Sequence, residues 1–557
     1  MKRALLVAIA AAACGGKGPT QTVPAPPPGN VAEPQPEPVK PQEKPMPPPA
    51  PTQTAQPQDL KFPDEDFRAH QPAATAPRPF KLPRVQQFAL RNGIQVYLVE
   101  QHNLPIVSLD LNFDGGSIAD PKGKEGLASV CMSMLTEGTQ KLDKIAYSEA
   151  LADVASNISA YAADDSQGVG LSTLTKHLEA TFALFVDTVR SPGLRQSDFD
   201  RMIKRRQESV KQARGNPTAI PGRVMSTILY GASHPLGTVV TEDSLGAVTL
   251  ADCKKHLDTW LQPRHARLFV VGDLTEQQVK DTFEKSPLGA WKGSPPPQPV
   301  PPQPKTMAGR IFFVNVPKAA QSTVMLMEFG PKRTAPDYFA NTMMSAVLGG
   351  SFTSRINMNL REDKGYAYGA RGGFSYSPKQ FGVLTVSSSV QTDATYQSLL
   401  EIDHEVKELA TNKRPVTKEE LDREKTNAIL ALPGRFATAQ AALGQYRSLV
   451  YYGLPLDYFN TYVDRVGKVT EAQVKDSATH HLKPAHAVFL VVGDGDAEMI
   501  IHNPDAKKDD PPEVRRTKLM KDGKPVTLRE ALQDLVQRGD VGAGALVELD
   551  ADGKPVK

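Results

Sequence analysis

Three cysteines in 557 residues, at positions 14, 131 and 253, are too few for a disulfide framework. Charge of one sign is equally scarce: 65 Lys and Arg stand against 62 Asp and Glu, a net charge of +3 that gives no overall pull toward nucleic acid. No Walker-type glycine loop is present, so P-loop phosphate chemistry is excluded and no nucleic-acid partner is expected. The apolar run at the N-terminus falls short of the ~20 residues a membrane span requires. What is present is ample apolar material, 40% of the chain with 23% charged, enough for more than one core. Cys131 and Cys253 could form one bridge, but the burial habits of cysteine favour two separate core thiols.

The chain begins MKRALLVAIAAAACGG: two basic residues, a short apolar run, then small residues ahead of Cys14. This has the form of an export signal. The ending AAAC resembles a bacterial lipoprotein cleavage box, in which the cysteine receives lipid; Ala11 stands where leucine is usual, so an ordinary secretory signal is the alternative. Gly15 in place of aspartate points to the outer membrane, facing the periplasm. Residues 1–14 are therefore read as a signal peptide with Cys14 as the lipidation site, and residues 15–83, rich in proline, as a tether. At up to ~3.1 Å per residue such a tether could reach on the order of 100 Å. A second proline cluster, GSPPPQPVPPQP at 293–304, reads as a linker between folded regions 84–292 and 305–500. Residues 501–557 form an extension to which no role is assigned, with a hairpin-like MKDGKPV at 520–526 and an amphipathic stretch at 528–535.

The two folded regions repeat each other. VTLADCKKHLDTWLQPRHARLFVVGD ends at Asp273 and VTEAQVKDSATHHLKPAHAVFLVVGD ends at Asp494, with Gly272 and Gly493 221 positions apart. A duplication of that period means two whole domains rather than a solenoid. Alternation at 106–113 and 167–174 predicts strands, and helical spacing predicts helices at 143–154, 176–189, 197–214, 218–230 and 250–261. The second half reads as strands at 311–316, 323–329, 368–376 and 382–390 with helices between and after them. Strand pairs with hairpin-length links followed by helices give an α+β class.

The motifs RNGIQVYLVE, GGS at 115–117, GLASVCMSMLTEGT at 126–139, LYGASHPLG at 229–237, PRHARLFVVGD and VLGGSFTSRINMNLREDKGYAYG at 347–369 together resemble the pitrilysin and insulinase family of zinc peptidases, which includes the mitochondrial processing peptidase. The resemblance spans roughly residues 84–494. It implies two homologous domains, each a mostly antiparallel sheet with helices packed on one face, enclosing a chamber. In active relatives a helix carries H-x-x-E-H, two histidines one turn apart that clasp zinc and a glutamate that activates water. Alignment by the flanking GLA and EGT puts Ser129 and Ser133 at the histidine positions and Met132 at that of the base. A hydroxyl is not among the usual zinc ligands and a thioether accepts no proton from water. No catalytic residue and no bound metal are therefore expected in this chain. Glu208 lies at about the spacing of the family's third ligand and is read as a solvated carboxylate or a remnant. On the same helix Leu127, Val130, Cys131, Met134 and Leu135 form the core stripe, with Ser129, Met132 and Ser133 on another face.

Arg361 and Tyr368 match the family's arginine and tyrosine pair, which approaches the scissile peptide from the half opposite the zinc. They are the candidate substrate-binding residues; the competing reading pairs Arg361 with Glu362 or Asp363 and packs the Tyr368 ring into a strand. Gly349 and Gly350 read as a tight turn, Lys204 to Arg206 as a solvated helix face, and His480 and His481 as helix-terminal cations rather than metal ligands. The resemblance implies a non-catalytic subunit that pairs, as a heterodimer, with a zinc-bearing relative and helps it hold an extended peptide, zinc being expected only in that partner. The alternative is a lipid-anchored peptide-binding or scaffold protein of the envelope that takes up extended peptides by strand addition. An autonomous hydrolase would need a nucleophile and a base for which the sequence offers no candidates.

Overall fold

The alternating segments of the first half assemble into a mixed sheet of β1 (Gln86–Ala89), β2 (Gln95–Glu100), β3 (Ile106–Asp114), β4 (Asn157–Ala162), β5 (Ser166–Leu174) and β6 (Arg267–Gly272) in the order β1-β2-β6-β3-β5-β4. Only β2 and β6 run parallel. This computed structural model describes residues 82–376, 379, 381–503, 506–507 and 510–556, together with Phe67. Cys14 and nearly all of the proline-rich tether lie outside the described residues. The described residues from Leu82 onward form one compact unit.

The second half repeats the design with β7 (Ile311–Asn315), β8 (Gln321–Gly330), β9 (Ala367–Ser375), β10 (Gly382–Gln391) and β11 (Val488–Gly493). Two small hairpins follow, β12 (Ile500–His502) with β13 (Arg516–Lys518) and β14 (Met520–Lys521) with β15 (Lys524–Pro525); the second is the turn expected at MKDGKPV. The sheet order is β16-β7-β11-β8-β10-β9, where β16 is Leu546–Leu549. The duplicates differ at one edge. In the first sheet β1 arrives by a hairpin, antiparallel to β2; in the second, β16 comes from the C-terminal extension and runs parallel to β7.

Each sheet packs one face on helices of its own half, as expected. The other face is also covered, and by the opposite half. Ile220, Val224 and Ile228 of the first-half helix Ile220–Tyr230 join a core with Phe312, Val314, Met327, Leu490 and Val492 of the second sheet. In return, Leu443, Tyr446 and Leu449 of the second-half helix Ala439–Tyr452 share a core with Val99, Phe269 and Val271 of the first sheet. These helices are duplicates: shifting the first by the 221 positions that separate Gly272 from Gly493 lands inside the second. An ion pair between a buried carboxylate and a half-exposed arginine accompanies the exchange. Arg447 of the second half reaches Asp110 of β3 at 3.0 Å, and the Tyr161 hydroxyl donates to the same carboxylate at 3.0 Å.

The C-terminal extension is part of this architecture. Leu528, Leu532 and Leu535 of the helix Leu528–Arg538 enter the second-half core, so the amphipathic stretch has its apolar face buried. Val547, Leu549 and Ala551 then join the core shared by the two halves. Asp552 completes the strap: its carboxylate is gripped by Arg214 at 2.7 Å and Arg223 at 2.5 Å, both from first-half helices. The proline-rich linker is likewise pinned, because Gln298 accepts from the Gly115 backbone N–H at 2.7 Å and donates to its carbonyl at 2.9 Å. Gly116, at φ +84°, would drive a Cβ into the Ala163 carbonyl, which accounts for the second glycine of GGS.

Burial alone would raise the Asp552 carboxyl, but hydrogen bonds from Arg214 and Arg223 outweigh it and hold the group below the ordinary carboxylate value. Its contribution to stability is therefore present above that value and is lost as the pH falls below about 4. In urea unfolding at pH 7, Asp552→Asn is expected to cost about 2 kcal/mol, discounted for the partial exposure of Arg214. The gap between the variant and the parent protein should narrow as the pH drops below about 4; a gap absent at pH 7 would contradict the strap.

Candidate functional site

The helix Leu127–Met134 begins without a side-chain cap of its own, since Gly126 at its N-cap is left-handed. Asp120 supplies the cap from outside, accepting from the N–H groups of Gly126 and Ala128 at 2.8 Å each. Burial raises this carboxyl to about 6 despite those two bonds. The opposite end is held by a disulfide. Cys131 and Cys253, both fully buried, are bonded with a Cα–Cα distance of 4.8 Å, so the expectation of two separate thiols is corrected. The helices Leu127–Met134 and Leu250–Trp260 pack against each other, which brings together cysteines 122 residues apart in sequence.

Of the three motif positions, Ser129 and Ser133 share a partly exposed face one turn apart, and the Ser133 hydroxyl donates to the Ser129 carbonyl at 2.9 Å. Met132 does not join them. Its side chain is fully buried in the first-half core, because the helix is covered on nearly all sides and only the serine face reaches solvent. Glu208 does not join them either: it is exposed on the helix Gln196–Arg214. The residue that converges on the serines is Arg206. Its guanidinium donates to Ser129 Oγ at 3.1 Å, to the Ser129 carbonyl at 3.2 Å and to Ser133 Oγ at 2.6 Å. Phe199, Met202 and Val210 are the buried apolar residues of that helix, and Arg206 falls on the same stripe by the i, i+3, i+7, i+11 spacing. Glu208, two residues on, is turned away by about 200°.

The reading of Lys204 to Arg206 as a solvated face is thus corrected at its last member. Lys204 and Arg205 are exposed, while Arg206 turns inward. Burial, then repulsion from Arg205, lowers the Arg206 guanidinium from its ordinary value. Zinc does not fit these residues. Two neutral hydroxyls and a cation occupy the space between the helices, and no group of three or more His, Cys, Asp or Glu side chains comes together among the described residues.

Arg361 and Tyr368 do meet. The Arg361 guanidinium carbon lies 4.7 Å from the centre of the Phe352 ring and 4.9 Å from that of Tyr368, forming a ring–cation–ring stack on the surface. Local structure places each member. Arg361 sits in the π-helical turn Met358–Asp363. Tyr368 sits on a bulge of β9, where Tyr368 and Gly369 together oppose the single residue Ser389 of β10. Buried Asn357 ties the two sides, donating to the Phe352 carbonyl at 2.7 Å and accepting from the Ala370 N–H at 2.9 Å. Tyr368 is 86% exposed, so its ring is not packed into the strand. Arg361 also pairs with Glu362 at 3.0 Å. Gly349 closes a π-helical turn and rests directly on Gly372 of β9; a Cβ there would come within 2.5 Å of the Gly372 nitrogen. His481 pairs with Asp337 at 2.6 Å and His480 lies 2.7 Å from the Asp476 carbonyl, both local roles. Phe352 is the member of the stack that the motif match does not single out, although it lies within the same stretch, 347–369, two residues after Gly350.

Between the halves, beside the exchanged helix Ala439–Tyr452, lies a cavity of about 350 Å³ lined by Asp114, Tyr161, Asp165, Arg267, Arg447 and Tyr451 among others. Its charges are largely paired: Arg267 with Asp114 at 3.1 Å, Tyr451 donating to Asp165 at 2.9 Å, and Arg447 with Asp110.

Comparison with known proteins agrees with the fold. Residues 95–238 match the family model described as insulinase (peptidase family M16), and residues 247–428 match that described as peptidase M16 inactive domain. Together these cover more than half of the chain, which belongs to the M16 peptidase family. It is 22% identical over 404 residues to a Helicobacter pylori protein named non-peptidase homolog YmxG, covering 72% of this chain and 91% of that one. It is 23% identical over 360 residues to zinc protease PqqE of the same organism, covering 62% and 79%. The crystal structure of a peptidase M16 inactive domain from Pseudomonas fluorescens superposes with a TM-score of 0.68 at 25% identity, covering 74% of this chain and 98% of that one.

A disulfide closing so long a loop stabilises by ~2–4 kcal/mol. The double variant Cys131→Ser with Cys253→Ser is expected to lose that amount in urea unfolding, and reductant should lower the parent protein toward the variant. Two titratable thiols in the unreduced, denatured protein with Cys14 absent or modified would contradict the bridge.

Proposed function

We propose that this chain is the non-catalytic subunit of a two-chain M16 zinc peptidase. It lends a substrate-binding surface, centred on Arg361 and Tyr368, to a relative that carries the zinc motif. The observation that carries this reading is the exposed stack of Phe352, Arg361 and Tyr368 in a chain whose own cradle holds serines and a guanidinium. The stack stands on the protein's surface, where a second chain and an extended peptide can reach it. An arginine there donates to a peptide carbonyl, and the Tyr368 hydroxyl can donate to an oxygen that gains charge during attack by the partner's activated water. The matches to both a non-peptidase homologue and a zinc protease support a division of labour.

This reading includes a site at the outer membrane, facing the periplasm, which rests on the lipoprotein-like segment ending at Cys14 and the proline-rich tether of the sequence. The disulfide supports an oxidising compartment of this kind. The second reading, capture of extended peptides without proteolysis, draws support from β9, the last strand of its sheet, which carries the exposed Tyr368.

The test is reconstitution. The isolated chain should cleave no peptide, and cleavage should appear on mixing with a relative bearing the complete H-x-x-E-H motif. Arg361→Ala should then lower kcat/KM by about 100-fold, and Tyr368→Phe by a smaller factor. Mixed activity unchanged by Arg361→Ala would remove the division of labour. Tight peptide binding without cleavage in any mixture would leave the capture reading.

A further inference from the structure

We propose that the former metal cradle is a carboxylate-binding site, with the Arg206 guanidinium as its cation and the Ser129 hydroxyl as a neighbouring donor. The inference is independent of the two-chain reading, because it concerns this chain's own cradle and needs no zinc-bearing partner.

Three features of the cradle support it. First, Arg206 is only part-buried, and Ser129 and Ser133 also reach solvent, so the site is open to a small group. Second, the guanidinium lacks a counter-charge. All three of its hydrogen bonds go to neutral oxygens, no carboxylate lies within ion-pair distance of it among the described residues, and the charge that perturbs it most is another cation, Arg205. Arg223 and Arg355 of the same chain are each paired with a carboxylate, Asp552 and Glu420, whereas buried Arg310, like Arg206, bonds only neutral oxygens, the backbone carbonyls of Pro484, Ala487 and Val541; Arg206 differs from it in reaching solvent. A cation in a low-dielectric site without a partner costs free energy that an arriving anion returns. Third, the donor count leaves capacity. Of the five guanidinium N–H groups, three serve Ser129 and Ser133 and two remain, and the Ser129 hydroxyl, which accepts from Arg206, has its own proton to give. Ser133 has already given its proton to the Ser129 carbonyl.

Both Nη2 hydrogens are taken by Ser129 and Ser133, so the pair of donors left side by side is the second Nη1–H and the neighbouring Ser129 hydroxyl, which can each meet one oxygen of a carboxylate. Two sources share that chemistry, the free C-terminus of a peptide and a small free carboxylate. Here the cation is part of the chain, with one charge and no open coordination position, so it can hold an anion but cannot activate water.

The experiment measures thermal unfolding of the full chain at constant ionic strength against increasing N-acetyl-trialanine, its C-terminal amide, and acetate. Ligand binding to the folded state raises Tm by mass action. The free acid is expected to raise Tm saturably, with half-saturation in roughly the millimolar range, and the amide to have no effect. An acetate response equal to that of the tripeptide acid assigns the site to small carboxylates; a response to the tripeptide acid alone assigns it to a peptide terminus. Arg206→Lys, which keeps the charge and loses the fixed Nη1 donor beside the Ser129 hydroxyl, should weaken the acid's half-saturation by about tenfold. Equal responses to acid and amide, no response to either acid, or an acid response unchanged in Arg206→Lys would each overturn the proposal.

Discussion

The exchange of helices between the halves is the constraint on which the rest of the structure depends. A half-buried sheet presents one apolar face too many, and each half solves this with the duplicate of the same helix, Ile220–Tyr230 in one direction and Ala439–Tyr452 in the other. Three apolar side chains from each helix, at ~1.5–3 kcal/mol apiece, come to the order of 10 kcal/mol. That is as large as the whole net stability of an ordinary domain. Neither half can let go of the other without exposing its own sheet. The Asp110 and Arg447 pair reinforces this, because separating the halves would take the cation away from the buried Asp110 carboxylate. The C-terminal strap adds a third tie by placing β16 in one half and Asp552 against the other.

A locked pair of halves fixes where chemistry can occur. The cradle and the Phe352, Arg361 and Tyr368 stack are held in place by rigid elements, the first by a cap from Asp120 and the disulfide, the second by Asn357 and a strand bulge. The cradle is not loose. The Arg206 guanidinium fills the space between the helices and bonds both serines. What it offers is a fixed monovalent donor.

Much of this was legible from the residues. The five helices predicted in the first half and the strands at 106–113 and 167–174 coincide closely with those observed, because their apolar spacing is regular and their ends carry caps such as Asp143 and Thr249. The duplication announced two similar sheets. Tertiary effects account for the rest. Nothing in a 122-residue separation signals that Cys131 meets Cys253. Spacing along the chain pointed to Glu208 as the remnant ligand, whereas helical phase selects Arg206, which the stripe of Phe199, Met202 and Val210 could have shown. The strap was opaque because β16 is only four residues long and pairs with a strand more than 200 residues earlier.

Native-state hydrogen exchange tests the interlocking most directly. The account predicts that the core amides of both exchanged helices, around Ile228 and Leu449, exchange with the same free energy as those of β3 and β8, in one global opening. Exchange of the second-half core through an opening that leaves the first half protected would contradict it.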